Sequence, residues 1–272
     1  MTKVYAIASG KGGTGKTMTV VNLGTSLALL GKRTVILDAD IGMANLGLVL
    51  GLEKSSVTLH DVLAGNADIS DAMYELPSGL KVVPSGLSLR GFRDSNPDRL
   101  QFIMTELIKD ADYVLMDAPA GINRDGVIPL AIADEVLLVV NPELSSMLDA
   151  AKVEAVIDIV GGALGGIVIN RVPPYRAALT CQKIGEVMNA RILGVIPEDS
   201  SVRTATAFKT PVVIMYPDCM ASRGYKALAA RLAGETATQG VFQAISPQGH
   251  KESEVHKTSF VDRLTRSLFE DG

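Results

Sequence analysis

The sequence predicts an α/β protein with a mainly parallel, twisted sheet flanked by helices on both faces. Three observations carry that expectation. Short apolar runs recur at residues 4–8, 34–37, 81–83, 113–116, 135–140, 166–169, 192–196 and 212–215, and each reads as a strand. Helix-like stretches such as 97–109, 149–160 and 177–188 separate most of them, and βα alternation of this kind builds parallel sheets. The 47% hydrophobic content comes mainly from Val, Ile, Leu and Ala, without any Trp, which suits strands buried on both faces. Function in such sheets collects at the carboxyl ends of the strands, so the loop after each run is where chemistry is sought.

The first of these loops is the most informative. Ser9-Gly10-Lys11-Gly12-Gly13-Thr14-Gly15-Lys16-Thr17 follows the run at 4–8 and precedes apolar residues at helical period: Val20, Val21, Leu23, Leu27 and Leu30. Gly10, Gly15, Lys16 and Thr17 fit GxxxxGK[ST], the pattern of P-loop nucleoside triphosphatases (NTPases). Glycines let backbone N–H groups turn inward around phosphate oxygens, and the next helix points its positive dipole end at the same anion. Lys16 is expected to reach the β- and γ-phosphates, and the Thr17 hydroxyl to ligate Mg²⁺. Lys11 adds positive charge beside Lys16, which is unfavourable unless it meets an anion. It either bonds its own phosphate or reaches a nucleotide held by a second subunit. The candidate nucleotide-contacting set is therefore Gly10, Lys11, Gly12, Gly13, Thr14, Gly15, Lys16, Thr17 and Met18.

Later loops add acids and amides. Asp38 and Asp40 follow the run at 34–37. Alone they could stabilise turns; beside a phosphate loop such a carboxylate can orient water or hold the magnesium hydration shell. Asp117 ends the run at 113–116 and could likewise cap a helix or deliver a carboxylate to the metal shell through water. Glu143 to Asp149 reads as a turn and helix start, with Ser145 or Ser146 as its cap. Asn170 closes the run at 166–169, and its amide both donates and accepts, which suits an adenine edge or an ordinary turn. Pro197, Glu198 and Asp199 close the run at 192–196.

The segment KGGTGKT resembles the deviant phosphate loop of the MinD/ParA class of ATPases, and the likeness runs from roughly Lys3 to Arg231. That resemblance implies ATP and Mg²⁺ as cofactors, and ATP hydrolysis by an ATP-dependent homodimer whose early lysine, here Lys11, crosses the interface. It makes the segment at Asp38–Asn45 switch I, with Asp40 as the water-positioning catalytic residue beside Lys11 and Lys16. DAPAG at 117–121 becomes switch II, with Asp117 in the magnesium shell. Glu143 and Asp149 become interface candidates. Asn170 and Arg171, with Pro197, Glu198 and Asp199, become the adenine-recognition residues. Thr14 and Met18 depart from Val and Thr common in close relatives, and Ala44 from a basic residue common in bacterial MinD proteins.

The rest of the composition narrows the classes. A net charge of −4 argues against a globally basic nucleic-acid binder. Cys181 and Cys219 form no CxxC pattern, so a reducing cytosol is expected. No apolar run is long enough to span a bilayer, and a strand starting almost at Met1 leaves no room for a signal peptide. The expected organisation is an ATPase domain over 1–232, a polar linker over 233–258 and a short amphipathic helix over 259–270. In that helix Phe260, Val261, Leu264 and Leu268 share one face, with Phe269 at its edge and Arg263 and Arg266 opposite. Such a helix can lie in a membrane interface, dock on its own domain or enter a partner's groove. The family's membrane-targeting terminal helix favours the first. The reading is a MinD-like spatial-positioning ATPase, cytoplasmic and peripheral at the inner face of the cell membrane, with an unidentified protein partner. A ParA-like DNA-partition protein is the alternative, and a metal-cluster carrier of the same fold is a more distant one.

Overall fold

The computed structural model describes residues 1–121, 124–173 and 177–235. Its strands are β1 (Lys3–Ala8), β2 (Thr34–Asp38), β3 (Tyr74–Glu75), β4 (Lys81–Val83), β5 (Tyr113–Asp117), β6 (Glu135–Val140), β7 (Leu164–Val172) and β8 (Ile192–Pro197). They form one sheet in the order β3-β4-β2-β5-β1-β6-β7-β8. Every pairing is parallel except β3 with β4. The helices are α1 (Lys16–Leu29), α2 (Leu46–Leu50), α3 (Leu59–Ala64), α4 (Leu89–Asp94), α5 (Leu100–Leu107), α6 (Arg124–Ile132), α7 (Leu144–Ile159), α8 (Ala177–Met188), α9 (Ser200–Ala207), α10 (Val212–Met215) and α11 (Met220–Leu232).

Strand periodicity explains the layers. Val4, Ala6 and Ala8 of β1, Val35 and Leu37 of β2, and Val114 and Met116 of β5 feed one core, packed against α3, α5 and α7. The intervening Tyr5, Ile7, Ile36, Tyr113 and Leu115 feed the other core, closed by Val20, Leu23 and Leu27 of α1 and Tyr225 and Leu228 of α11. Successive side chains of a strand point to opposite faces, so a continuous apolar run can only be satisfied by helices on both sides. Each aliphatic side chain fully buried in these layers contributes roughly 1.5–3 kcal/mol.

Two elements differ from the sequence expectation. Residues 212–215 form α10 and not a strand. Pro211 sits at its N-cap with φ −56°, and the Tyr216 N–H closes the turn on the Val212 carbonyl at 2.8 Å. Val212 and Val213 are buried on the α1–α11 side, where the Val213 N–H donates to Asn22 Oδ1 at 3.3 Å. A run of four apolar residues has no period that separates strand from helix, and packing decided it. The antiparallel edge strand β3 is only Tyr74 and Glu75, too short to register as an apolar run. Its Tyr74 hydroxyl donates to the Val57 carbonyl at 2.9 Å and accepts from the Val57 N–H at 3.2 Å.

The described body ends at Glu235, which meets Lys32 at 3.1 Å. Of the expected linker over 233–258, residues 233–235 are described and their N–H groups bond back to α11; the rest of it and the amphipathic helix over 259–270, with Phe260, Val261, Leu264, Leu268 and Phe269, lie outside the described residues. Among the described residues, no helix is long and apolar enough to cross a membrane.

Candidate nucleotide site

The carboxyl ends of β1, β2, β5, β6, β7 and β8 open onto one rim, and the glycine-rich loop between β1 and α1 lies at its centre. Gly13 and Gly15 hold φ of 77° and 97°, left-handed values that suit glycine, and Gly15 is the N-cap of α1. Gly10 is required for a different reason: a Cβ there would run into the backbone of Asp149 on α7. At Gly15 a Cβ would also meet the Asn170 amide. The same amide donates from Nδ2 to the Thr14 carbonyl at 2.7 Å, so the end of β7 ties down the top of the loop. Lys16 begins α1 with its residue 8% exposed, already drawn into the rim.

Strand register brings the acids together. Asp38 and Asp117 are direct neighbours at the ends of β2 and β5, and both are buried. The Thr17 hydroxyl donates to Asp117 Oδ2 at 2.6 Å. Asp117 Oδ1 is buried and accepts no hydrogen bond among the described residues. Buried carboxylate oxygens are rarely left so, and each such case calls for an explanation. A hard divalent cation takes oxygen ligands, so the Thr17 hydroxyl and this free oxygen below an anion cradle fit Mg²⁺. Asp40 lies nearer the surface. Its N–H donates to Asp38 Oδ1 at 3.3 Å, and its carboxylate accepts the Met43 N–H at 3.1 Å. Asp38 Oδ2 accepts the Leu46 N–H at 3.1 Å, which shapes the loop between β2 and α2.

This clustering shifts the acids' protonation. Burial raises the Asp117 carboxyl to about 6, against the opposing pull of Lys16 and the Thr17 hydroxyl, with Asp40 adding to the rise. Burial, then the neighbouring Asp117 charge, pushes Asp38 well above the ordinary carboxylate range. The folded protein therefore holds protons that the unfolded chain has released between the ordinary range and pH 6. With more protons bound in the folded state, stability falls as pH rises through that window. Mg²⁺ with nucleotide favours the ionised Asp117. Thermal unfolding without ligand should accordingly show Tm decreasing from pH 4.5 to 6.5, while the Tm gain from Mg·ADP grows over the same range. A ligand-induced gain that stays flat across it would contradict this account of Asp117.

On the other side of the loop, Lys11 Nζ donates to Ser145 Oγ at 2.9 Å and pairs with Glu143 at 3.4 Å, and both partners lie at the start of α7. Asp149 instead pairs with Lys152 at 2.9 Å. Towards β7 and β8, one cavity of about 500 Å³ is lined by Gly15, Met18, Asn170, Arg171, Pro197, Glu198 and Asp199. Arg171 takes a positive φ of 56° and faces Glu198 at 4.0 Å. The Asp199 carboxylate is engaged by two backbone N–H groups, Ser201 at 2.9 Å and Ala221 at 3.3 Å, so it anchors α9 and α11 at the cavity wall. Val202, Arg203, Thr206 and Tyr225 add to that wall. No motif marks those four, and the helical spacing of Val202, Arg203 and Thr206 is the only signal they leave.

A phosphate loop, a buried aspartate bonded to its threonine and a parallel sheet that delivers both define a Mg²⁺-dependent P-loop ATPase. Residues 5–212 match the CobQ/CobB/MinD/ParA nucleotide binding domain, and the chain belongs to that family, as a MinD-like ATPase that uses ATP and Mg²⁺. An uncharacterized ATP-binding protein of Methanocaldococcus jannaschii is 42% identical over 99% of this chain and 97% of its own. The cell division ATPase MinD of Pyrococcus furiosus superposes with a TM-score of 0.79 at 36% identity, over 86% of this chain and 99% of its own. The septum site-determining protein MinD of Pyrococcus horikoshii, solved with Mg-ADP, gives a TM-score of 0.77 at 34% identity, covering 85% and 96%.

Proposed function

We propose that this ATPase is a membrane-associated spatial switch, in which ATP favours a homodimer and the dimer binds the inner face of the cell membrane. The observation that carries the dimer is Lys11. It stands at the rim beside Lys16, its side chain 35% exposed, and is held by Ser145 and Glu143 through contacts that it can exchange for a nucleotide across an interface. Glu143, beside Lys11, and Asp149, whose backbone lies against Gly10, serve as interface residues.

Within each subunit the loop from Gly10 to Thr17 cradles the phosphates, and Lys16 neutralises the charge that develops on them. Bound Mg²⁺ supplies further positive charge to the phosphate oxygens, with Thr17 as its direct protein ligand and Asp40 and Asp117 holding its water shell. Asp40 orients the attacking water. Asn170, Arg171, Pro197, Glu198 and Asp199, with Met18, form the walls of the base pocket.

The terminal residues Phe260, Val261, Leu264, Leu268 and Phe269 supply the membrane contact. One short amphipathic helix binds marginally, because ordering its backbone costs about 1–2 kcal/mol per residue against the gain from a few buried side chains. Two such helices on one dimer raise avidity by about 10²–10⁴, which makes attachment follow the nucleotide. A protein partner that stimulates hydrolysis completes the cycle.

The test is co-sedimentation with anionic liposomes in ATP, ADP or no nucleotide, for the full chain and for a chain ending before Ser259. Pelleting with ATP alone, lost on truncation, is expected. Full-length protein that stays in the supernatant with ATP overturns the membrane reading. ATP-dependent retention on DNA, steeply weakened by salt, would favour the partition reading in its place.

A further inference from the structure

The loop that carries Asp40 is fastened from outside the nucleotide site. His60, on the first turn of α3, is buried at 3% exposure, and its Nε2 lies 2.9 Å from the carbonyl oxygen of Ile41. A carbonyl only accepts, so Nε2 carries the hydrogen. Ile41 is the residue after Asp40, and its carbonyl marks where the chain turns towards Met43.

The ring has little freedom to move. A Cβ at Gly86 would come within 2.7 Å of His60 Nδ1, and one at Gly91 within 3.1 Å, so two glycine backbones flank the imidazole. The start of α3 is itself fixed. The Thr58 N–H and hydroxyl both donate to Asp61 Oδ2 at 2.8 Å, and the Leu59 N–H donates to the Pro84 carbonyl at 2.9 Å. The same region holds the other end of the segment, where the Ser85 hydroxyl donates to the Asp38 carbonyl at 3.0 Å. Asp40 thus sits between two backbone carbonyls, each bonded to a side chain that lies outside the phosphate loop and the metal-shell acids.

We propose that His60 is a positioning residue for hydrolysis, fixing the Ile41–Gly42 peptide one residue past Asp40 so that the Asp40 carboxylate is held where it orients water. The inference rests on the reading of Asp40 as the water-positioning residue. A core histidine with an incidental hydrogen bond would affect stability alone. A positioning histidine affects turnover while nucleotide binding, which is built on β1, α1 and β7, stays unchanged. Catalytic groups must be held within a fraction of an ångström, and a displacement of about 1 Å can cost on the order of 10²-fold in rate.

Two substitutions separate these roles. In His60→Gln the side-chain amide nitrogen reaches towards the Nε2 position; in His60→Asn it stops near Nδ1. His60→Asn is expected to lower kcat by about tenfold or more while KM for ATP and Kd for ADP stay within about threefold, and His60→Gln is expected to restore most of kcat. In an Asp40→Ala background, His60→Asn should slow the residual rate no further, because the two act on one function. An unchanged kcat in His60→Asn, an equal loss in both variants, or a parallel loss of ADP affinity overturns the proposal. If Asp40→Ala itself hydrolyses ATP normally, it is the reading of Asp40 that fails. Nitrogen NMR of the unsubstituted protein gives a check independent of folding in the variants. An Nε2–H tautomer for His60 that responds to Mg·ATP supports the contact, and a neutral Nδ1–H tautomer removes it.

Discussion

Lys16→Ala is expected to reduce ATP turnover by at least about 10²–10³-fold while leaving the protein folded, in a steady-state phosphate-release assay. The magnitude follows from where the charge sits. Lys16 is buried at the first turn of α1, directly after the glycine-rich loop, so its charge acts with little solvent screening. Removing a preorganised donor from such a site forfeits stabilisation that water cannot replace. Lys16 also draws down the Asp117 carboxyl. Without it, Asp117 should hold its proton to still higher pH, and Mg²⁺ should bind more weakly at neutrality. Loss of turnover and loss of Mg²⁺-dependent nucleotide affinity should therefore appear together. A variant that keeps more than a tenth of the unsubstituted rate would show that the charge is supplied from elsewhere, with Lys11 the first candidate.

The parts of this site legible in the sequence were those encoded within a few consecutive residues. The phosphate loop is local: its glycines, Lys16 and Thr17 are fixed relative to one another by a turn and one helix start. Asp117 was legible because a strand ending in an acid has few explanations beside such a loop. What the sequence hid depends on register and on distant contacts. That Asp38 lies beside Asp117 follows from the pairing of β2 with β5, which no local pattern announces. That Asn170 also ties down the phosphate loop, its Nδ2 donating to the Thr14 carbonyl, follows from a contact between β7 and a loop far away in sequence. Residues 212–215 became helix because Pro211 and the α1–α11 layer offered a better place than a sheet edge. The cavity wall from α9 and α11 was invisible for the same reason: Thr206 meets Met18 at 3.2 Å only once the sheet has brought their helices together.

Asp40→Ala is expected to separate binding from hydrolysis. Its carboxylate accepts the Met43 N–H, whereas Asp38 organises the loop through the N–H groups of Asp40 and Leu46, and these do not depend on the Asp40 side chain. Removing the Asp40 carboxylate therefore leaves the fastening of the loop largely in place, as well as the Thr17–Asp117 contact. Affinity for Mg·ATP should stay within about threefold, while kcat falls by about 10²-fold, the scale associated with losing one group that orients or activates a reactant. Asp38→Ala is the instructive contrast. It removes the acceptor for two backbone N–H groups and should lower Tm as well as turnover, so the two neighbouring acids become distinguishable by stability. If ATP drives dimerisation, Asp40→Ala should accumulate as a dimer in ATP and return to monomer in ADP, measured by size-exclusion chromatography with light scattering. Normal hydrolysis by Asp40→Ala would move the water-positioning role to another residue of the rim. Weak binding together with slow hydrolysis would instead show that Asp40 acts chiefly through the metal's water shell, because a group that acts on the attacking water alone has no reason to affect the ground state.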